Sequence, residues 1–331
     1  LNGLRVTRQK LIDLAKRECL LQAEQADVVA GYLAGSVALG EPLLAGTADI
    51  DLVLIHAGEP AQPRQIQPLS DDIHLDIAHH AAAFYEAPRA LRLHPWWGPA
   101  VAEPLFLHDP THLFEVAQAG ARGQFFRPDN VHARAQAFLA SAQHGLQRAR
   151  LGATWRRPYL QAVMDAASAA ASLVGAPPAG RRAWLTLENR LRALDQPSLL
   201  QDCLALIGGP EVCPRVPAWT AGWARAFDDL DGHASPGLHP ARRAYWLRGF
   251  QVLLEAGRPD AVLWPLLRLW TRTLEALPAN PAETSHRAEY ESSLAACGLS
   301  EQAQAARCGQ LEAFVDQVDE LLETWAGRNG A

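Results

Sequence analysis

Asp49-Ile50-Asp51 opens an apolar run, DIDLVLI, and a third carboxylate, Asp76, lies inside another, DIHLDIA. Alternation along a strand points Asp49, Asp51 and Val53 to one face and Ile50, Leu52 and Leu54 to the other. The same parity separates His74 and Asp76 from Ile73, Leu75 and Ile77. Two neighbouring carboxylates repel unless a cation neutralises them. If the two strands are neighbours, Asp76 joins Asp49 and Asp51. Hard oxygen ligands of this kind favour Mg²⁺, and three of them can hold two ions for in-line phosphoryl chemistry. Gly35-Ser36 closes an earlier apolar run, VVAGYLA. Its backbone N–H groups and the Ser36 hydroxyl can cradle a phosphate, because glycine lets the backbone approach closely.

The elements that must position these residues alternate through the first third of the chain. An amphipathic helix is expected over 7–26, strands over 28–34, 49–55 and 72–78, a helix over 79–93, a short strand in AEPLFLHD (102–109), and a helix after it. The Pro-rich stretch GEPAQPRQIQPLS between the second and third strands reads as loop. From about residue 126 strand patterns stop. Helical segments follow near 128–150, 157–174, 181–195, 198–207, 215–230, 240–256, 259–276, 282–296 and 300–326, separated by GAPPAG, GGPEVCP, SPGLHP and LPANP. No repeat period links them, which argues against a solenoid. The expected division is an α/β domain over 1–125 and an all-helical domain over 126–331.

Composition limits the function classes. The 331 residues are 49% hydrophobic and 20% charged, a globular balance rather than a disordered one. No apolar run approaches the roughly 20 residues that cross a bilayer, and LNGLRVTRQKLIDLAKRE has no signal-peptide core. Five cysteines with no CxxC pair suggest reduced thiols, so a cytoplasmic protein without membrane partners is expected. Charge is uneven: residues 1–125 carry 9 basic and 15 acidic residues, 126–275 carry 18 and 12, and 276–331 carry 3 and 9. A basic middle between acidic ends suits either an anionic ligand or an ordinary solvated surface.

Gly35-Ser36, twelve residues, Asp49-x-Asp51, then Asp76 on a later strand resembles the nucleotidyltransferase superfamily, whose relatives include DNA polymerase β. The stretch GSVALGEPLLAGTADIDLVLI looks most like its small-molecule branch, which includes aminoglycoside adenylyltransferases. Ala48 stands where many relatives have Ser, and Leu39 where many have Arg or Lys. The resemblance, over roughly residues 28–110, implies an α+β fold: a nucleotidyltransferase domain with a short mixed sheet, then helices. It implies that Gly35 and Ser36 contact the triphosphate, that Asp49 and Asp51 bind Mg²⁺, and that Asp76 is a further ligand or base. The activity implied is transfer of a nucleoside monophosphate from a nucleoside triphosphate, ATP first among them, to a hydroxyl of a small molecule. A non-catalytic regulatory or antitoxin-type relative and a nucleic-acid-extending enzyme are the alternatives. A net charge of −6 and the absence of a basic tail weigh against a nucleic-acid partner.

Weaker signals have plainer readings. His74, His79 and His80 with Asp76 lack a second ligand cluster for zinc, and Arg127…His132 straddles an expected helix start at Pro128. Arg156-Arg157 and Arg181-Arg182 open helices, where basic residues oppose the macrodipole unless an anion binds. Eight of ten tryptophans lie beyond residue 150 and are expected in the core.

Overall fold

A computed structural model describes residues 6–25, 27–152, 154–230, 235–278 and 281–331. In chain order the elements are α1 (Arg8–Gln25), β1 (Val28–Leu33), α2 (Gly35–Leu39), β2 (Ala48–His56), β3 (Arg64–Pro68), β4 (Ile73–Ala81), α3 (Pro88–Leu93), α4 (Trp97–Ala102), β5 (Leu105–His108) and α5 (Leu113–Arg122). Helices follow: α6 (Pro128–Leu151), α7 (Arg156–Ala171), α8 (Ala183–Ala193), α9 (Ser198–Leu206), α10 (Val216–Asp228), α11 (Arg242–Glu255), α12 (Pro259–Ala276), α13 (Pro281–Ala296) and α14 (Gln304–Asn329). Contacts group the chain into two compact units, Leu1–Phe126 with Ser235–Gly249, and Arg127–Ala234 with Phe250–Ala331. The fold class is α+β, a mixed sheet followed by helices.

The first unit is built on a five-stranded sheet of order β3-β4-β2-β1-β5. β2 and β4 run parallel, and the other neighbours are antiparallel. The alternation in β2 and β4 has the consequence expected of it. Ile50, Leu52, Leu54, Ile73, Leu75 and Ile77 pack on one face with Leu11, Ala15 and Cys19 of α1. The opposite face carries Val53 and Ile55 beside Tyr32, Tyr85 and Phe114. Asp49 and Asp51 precede Val53 on that second face, so the acids stand where its apolar packing stops.

Two local expectations are corrected. Residues 64–68, read as loop because Pro60, Pro63 and Pro68 surround them, form the edge strand β3, with Ile66 opposite Asp76. An edge strand tolerates proline because one side of its backbone needs no ladder partner. The strand at 72–78 also continues through His79 and His80 to Ala81; a 3-10 turn follows at Ala82–Tyr85, and α-helix starts only at Pro88. Both histidines find partners within the unit: His56 Nε2 lies 2.9 Å from His79 Nδ1, and the Tyr85 hydroxyl 2.8 Å from His80 Nδ1.

Gly31 in β1 is required by space. A Cβ there would fall 2.3 Å from Cys19 Sγ of α1. Gly31→Ala is expected to destabilise the protein by about 1–3 kcal/mol through overpacking, and adding Cys19→Ala should restore most of that. Urea unfolding of the two variants checks it; an unchanged midpoint in the single variant would mean that α1 shifts without cost.

The second unit is helical among its described residues. α7 is buried from Tyr159 to Ala171 apart from Gln161, so alanines let neighbouring helices approach closely. Trp155, Trp184, Trp223 and Trp270 are fully buried, and Trp223 Nε1 donates to Thr273 Oγ1 at 3.0 Å. Arg156, one of the arginines considered for an anion, donates to Glu291 (2.8 Å) and pairs with Glu301 (3.0 Å), while Arg157 pairs with Glu275 (2.8 Å). These charges are matched by carboxylates of the same unit. All five cysteines are free thiols. No helix among the described residues is long and apolar enough to cross a membrane.

Candidate metal and nucleotide site

Parallel pairing of β2 and β4 sets Asp49 opposite His74 and Asp51 opposite Asp76. One ligand oxygen from each of Asp49, Asp51 and Asp76 lies within 4.8 Å of the others. Among the described residues this is the one group of three His, Cys, Asp or Glu side chains close enough to share an ion. The hydrophobic parity of the two strands forces this convergence, because burying Ile50, Leu52, Leu75 and Ile77 leaves the acids no other face.

Gly35 and Ser36 follow β1 at the start of α2. Gly35 has φ +66°, in the left-handed region, and a Cβ on it would lie 2.0 Å from Asp51 Oδ2. The backbone at Gly35 is therefore pressed against a carboxylate of the triad. A side chain there would overlap that carboxylate.

The triad is not charge-balanced by itself. Arg64 of β3 pairs in register with Ala78 and reaches diagonally to Asp76, donating from Nε and Nη2 to its two oxygens. Arg242, at the start of α11, donates from Nη2 to Asp76 Oδ2 and to Asp49 Oδ2, the latter at 3.2 Å. His74 Nε2 stands 3.1 Å from Asp49 Oδ1, close enough for an ion pair but misaligned for a hydrogen bond. The ring of Tyr245, one helical turn beyond Arg242, meets His74 edge-on with centroids 5.5 Å apart.

These surroundings split the two acids of β2. Burial, and then the Asp49 charge, pushes Asp51 up to about 8 against the pull of Arg242 and Arg64. Burial acts in the same direction on Asp49, but Arg242 and His74 outweigh it and hold that carboxyl well below the usual range. Asp51 is thus the acid whose ionisation still lacks a cation.

The donor set fits Mg²⁺: carboxylate oxygens only, converging, with Asp49 Oδ1 buried and without an aligned hydrogen bond. It does not fit the zinc reading, since His79 and His80 bond elsewhere and neither joins the cluster. Four residues of the site were not singled out for it from sequence. His74 was visible as an in-phase neighbour of Asp76; Arg64 was hidden by prolines, and Arg242 and Tyr245 lie in a helix with no distinguishing motif.

No family model matches the sequence, and no curated protein matches it. Among solved structures, a nucleotidyltransferase-like protein from Exiguobacterium sibiricum 255-15 is similar at 13% identity, covering 75% of this chain and 80% of that one, with a TM-score of 0.32. So low a score carries no weight for function. The functional reading stands on the geometry of the acids.

Proposed function

We propose that this chain is a Mg²⁺-dependent nucleotidyltransferase that moves a nucleoside monophosphate from a nucleoside triphosphate to a hydroxyl of a small molecule. The observation that supports it is the convergence of Asp49, Asp51 and Asp76 within 4.8 Å, with the Gly35 backbone against Asp51. In this reading the three acids hold the metal, and Gly35 and Ser36 offer backbone N–H and hydroxyl donors to the phosphates. Bound Mg²⁺ supplies charge neutralisation for the triphosphate and a fixed geometry for in-line displacement. The acceptor oxygen forms a bond to the α-phosphorus as the bond from that phosphorus to the bridging oxygen breaks, and pyrophosphate leaves. Asp76 is assigned to accept the hydroxyl proton. Incubation of radiolabelled triphosphates, ATP first, with a panel of hydroxylated metabolites and aminoglycosides tests the reading. Labelled product and pyrophosphate are expected with Mg²⁺ and neither with EDTA; no Mg²⁺-dependent binding and no turnover would overturn it.

The acceptor in this reading is not a nucleic acid. Each phosphate neutralised on a polymer needs a basic side chain, and the chain is net −6, with its basic excess spread over residues 126–275. Mobility-shift and extension assays with tRNA, poly(A) and single-stranded DNA at about 50 mM salt, where electrostatic binding is exaggerated, are expected to be negative. Micromolar binding with primer extension would move the assignment to a polymerising enzyme.

One observation favours a second reading, a non-catalytic regulatory scaffold: Arg64 and Arg242 already neutralise Asp76. Mg²⁺-dependent nucleotide binding separates the two, since a scaffold whose acids are permanently paired has no use for the ion.

A further inference from the structure

The acidic cluster has two resident cations: Arg64 pairs with Asp76 alone, and Arg242 bridges from Asp76 to Asp49. Arg242 is 7% exposed, and its Nη2 spans Asp49 and Asp76, two of the three acids assigned to the metal. The segment carrying it is anchored around the triad. Tyr245 packs edge-on against His74, and Arg248 pairs with Asp72 just before β4. Residues 242, 245 and 248 recur every three positions, so one side of the helix supplies all three contacts.

A buried ion network that serves stability alone has its polar atoms satisfied. Here they are not: Arg242 Nε and His74 Nδ1 are buried without any partner, and Asp49 Oδ1 has only the misaligned His74 Nε2 at 3.1 Å. Unmet donors and unmet acceptors lie side by side in one cluster. The acceptor on Asp49 suits a cation, and the donor on Arg242 suits an anionic oxygen.

We propose that Arg242 is a displaceable counter-cation: it neutralises Asp49 and Asp76 until a divalent ion takes them, and its freed guanidinium then binds the phosphates of the nucleotide. This rests on the metal site proposed above and adds its regulation. A divalent ion and a guanidinium cannot both occupy the gap between Asp49 and Asp76, so metal alone binds against a competitor. Displacement strands a desolvated guanidinium, which is costly until an anion pairs with it. A polyphosphate is such an anion, and a planar guanidinium suits its oxygens. Metal and polyphosphate therefore bind cooperatively, each strengthening the other by the same factor.

Calorimetric titration of the full chain with Mn²⁺, with and without inorganic tripolyphosphate, tests this on wild type, Arg242→Gln and Arg242→Lys. In wild type, tripolyphosphate is expected to tighten Mn²⁺ binding by about tenfold or more. Arg242→Gln should bind Mn²⁺ alone about tenfold more tightly than wild type and lose the coupling. Arg242→Lys should fall between them, because an ammonium cannot bridge two carboxylates as a guanidinium does. If Arg242→Gln does not fold without metal, Arg242→Lys carries the comparison, and Mn²⁺ should raise its melting temperature more than that of wild type. Equal Mn²⁺ affinity and equal coupling in all three proteins would overturn the displacement and leave the metal site standing. Absence of Mn²⁺ binding in every protein would overturn both.

Discussion

Asp51→Asn is expected to weaken Mg²⁺-dependent nucleotide binding by at least ~100-fold, more than outer partners of a metal site usually cost, without destabilising the metal-free protein. Asp51 is the acid for which burial and the Asp49 charge outweigh every attraction, so its carboxyl is raised to about 8. The sign of the stability effect follows. Between the ordinary carboxylate range and about 8 the folded chain holds a proton that the unfolded chain has released, so stability falls as pH rises through that window. Asparagine has no proton to lose and removes this contribution. Melting temperatures in EDTA from about pH 5 to about pH 9 should therefore decline less in the variant than in wild type. Asp49→Asn behaves differently, because Asp49 partners Arg242 and His74 and its removal leaves a buried guanidinium with one carboxylate fewer. Undiminished Mg²⁺-dependent nucleotide binding by Asp51→Asn would falsify the metal site.

The second large effect is expected at Gly35. Alanine there meets two obstacles: a left-handed backbone at φ +66°, and a Cβ 2.0 Å from Asp51 Oδ2. Conformational strain of this kind costs about 1–3 kcal/mol. The overlap acts on function instead, since the atom in the way belongs to a side chain that can swing aside, and swinging aside takes a ligand out of the triad. Gly46 supplies the control. It has φ +69°, and a Cβ added to it would meet nothing within 4 Å, so Gly46→Ala bears the strain without the overlap. Both variants should lose similar stability, while only Gly35→Ala loses metal-dependent nucleotide binding, again by about 100-fold or more. Ser36→Ala removes one donor and should cost no more than about tenfold, the worth of a single hydrogen bond. Equal nucleotide affinities for Gly35→Ala and Gly46→Ala would reduce the Gly35-Ser36 turn to a structural role.

Residues 48–56 and 73–81 show how far local pattern reaches. Strand alternation assigned Asp49, Asp51, His74 and Asp76 to their faces before any pairing was known, because the period of a strand is two and the apolar residues must be buried together. That β2 and β4 are adjacent was only a condition in the sequence; their parallel direction and the register Asp51 opposite Asp76 belong to the folded sheet. Helix positions in the second unit were legible for a similar reason, since breakers and apolar spacing are local signals. β3 was not legible. Its apolar alternation amounts to Ile66 between two glutamines, and the prolines around it speak for a loop until an edge position makes them harmless.

By itself the sequence determined which side chains could be ligands and that those of one strand would share a face, because both follow from residue type and a period of two along a chain. Only the tertiary structure decided what neutralises them. Arg242 lies 193 residues from Asp49 and 166 from Asp76. No periodicity carries information over such separations: an ion pair between distant segments is selected by where packing brings the chain, and one arginine among twenty-eight looks like any other until it is folded against two carboxylates.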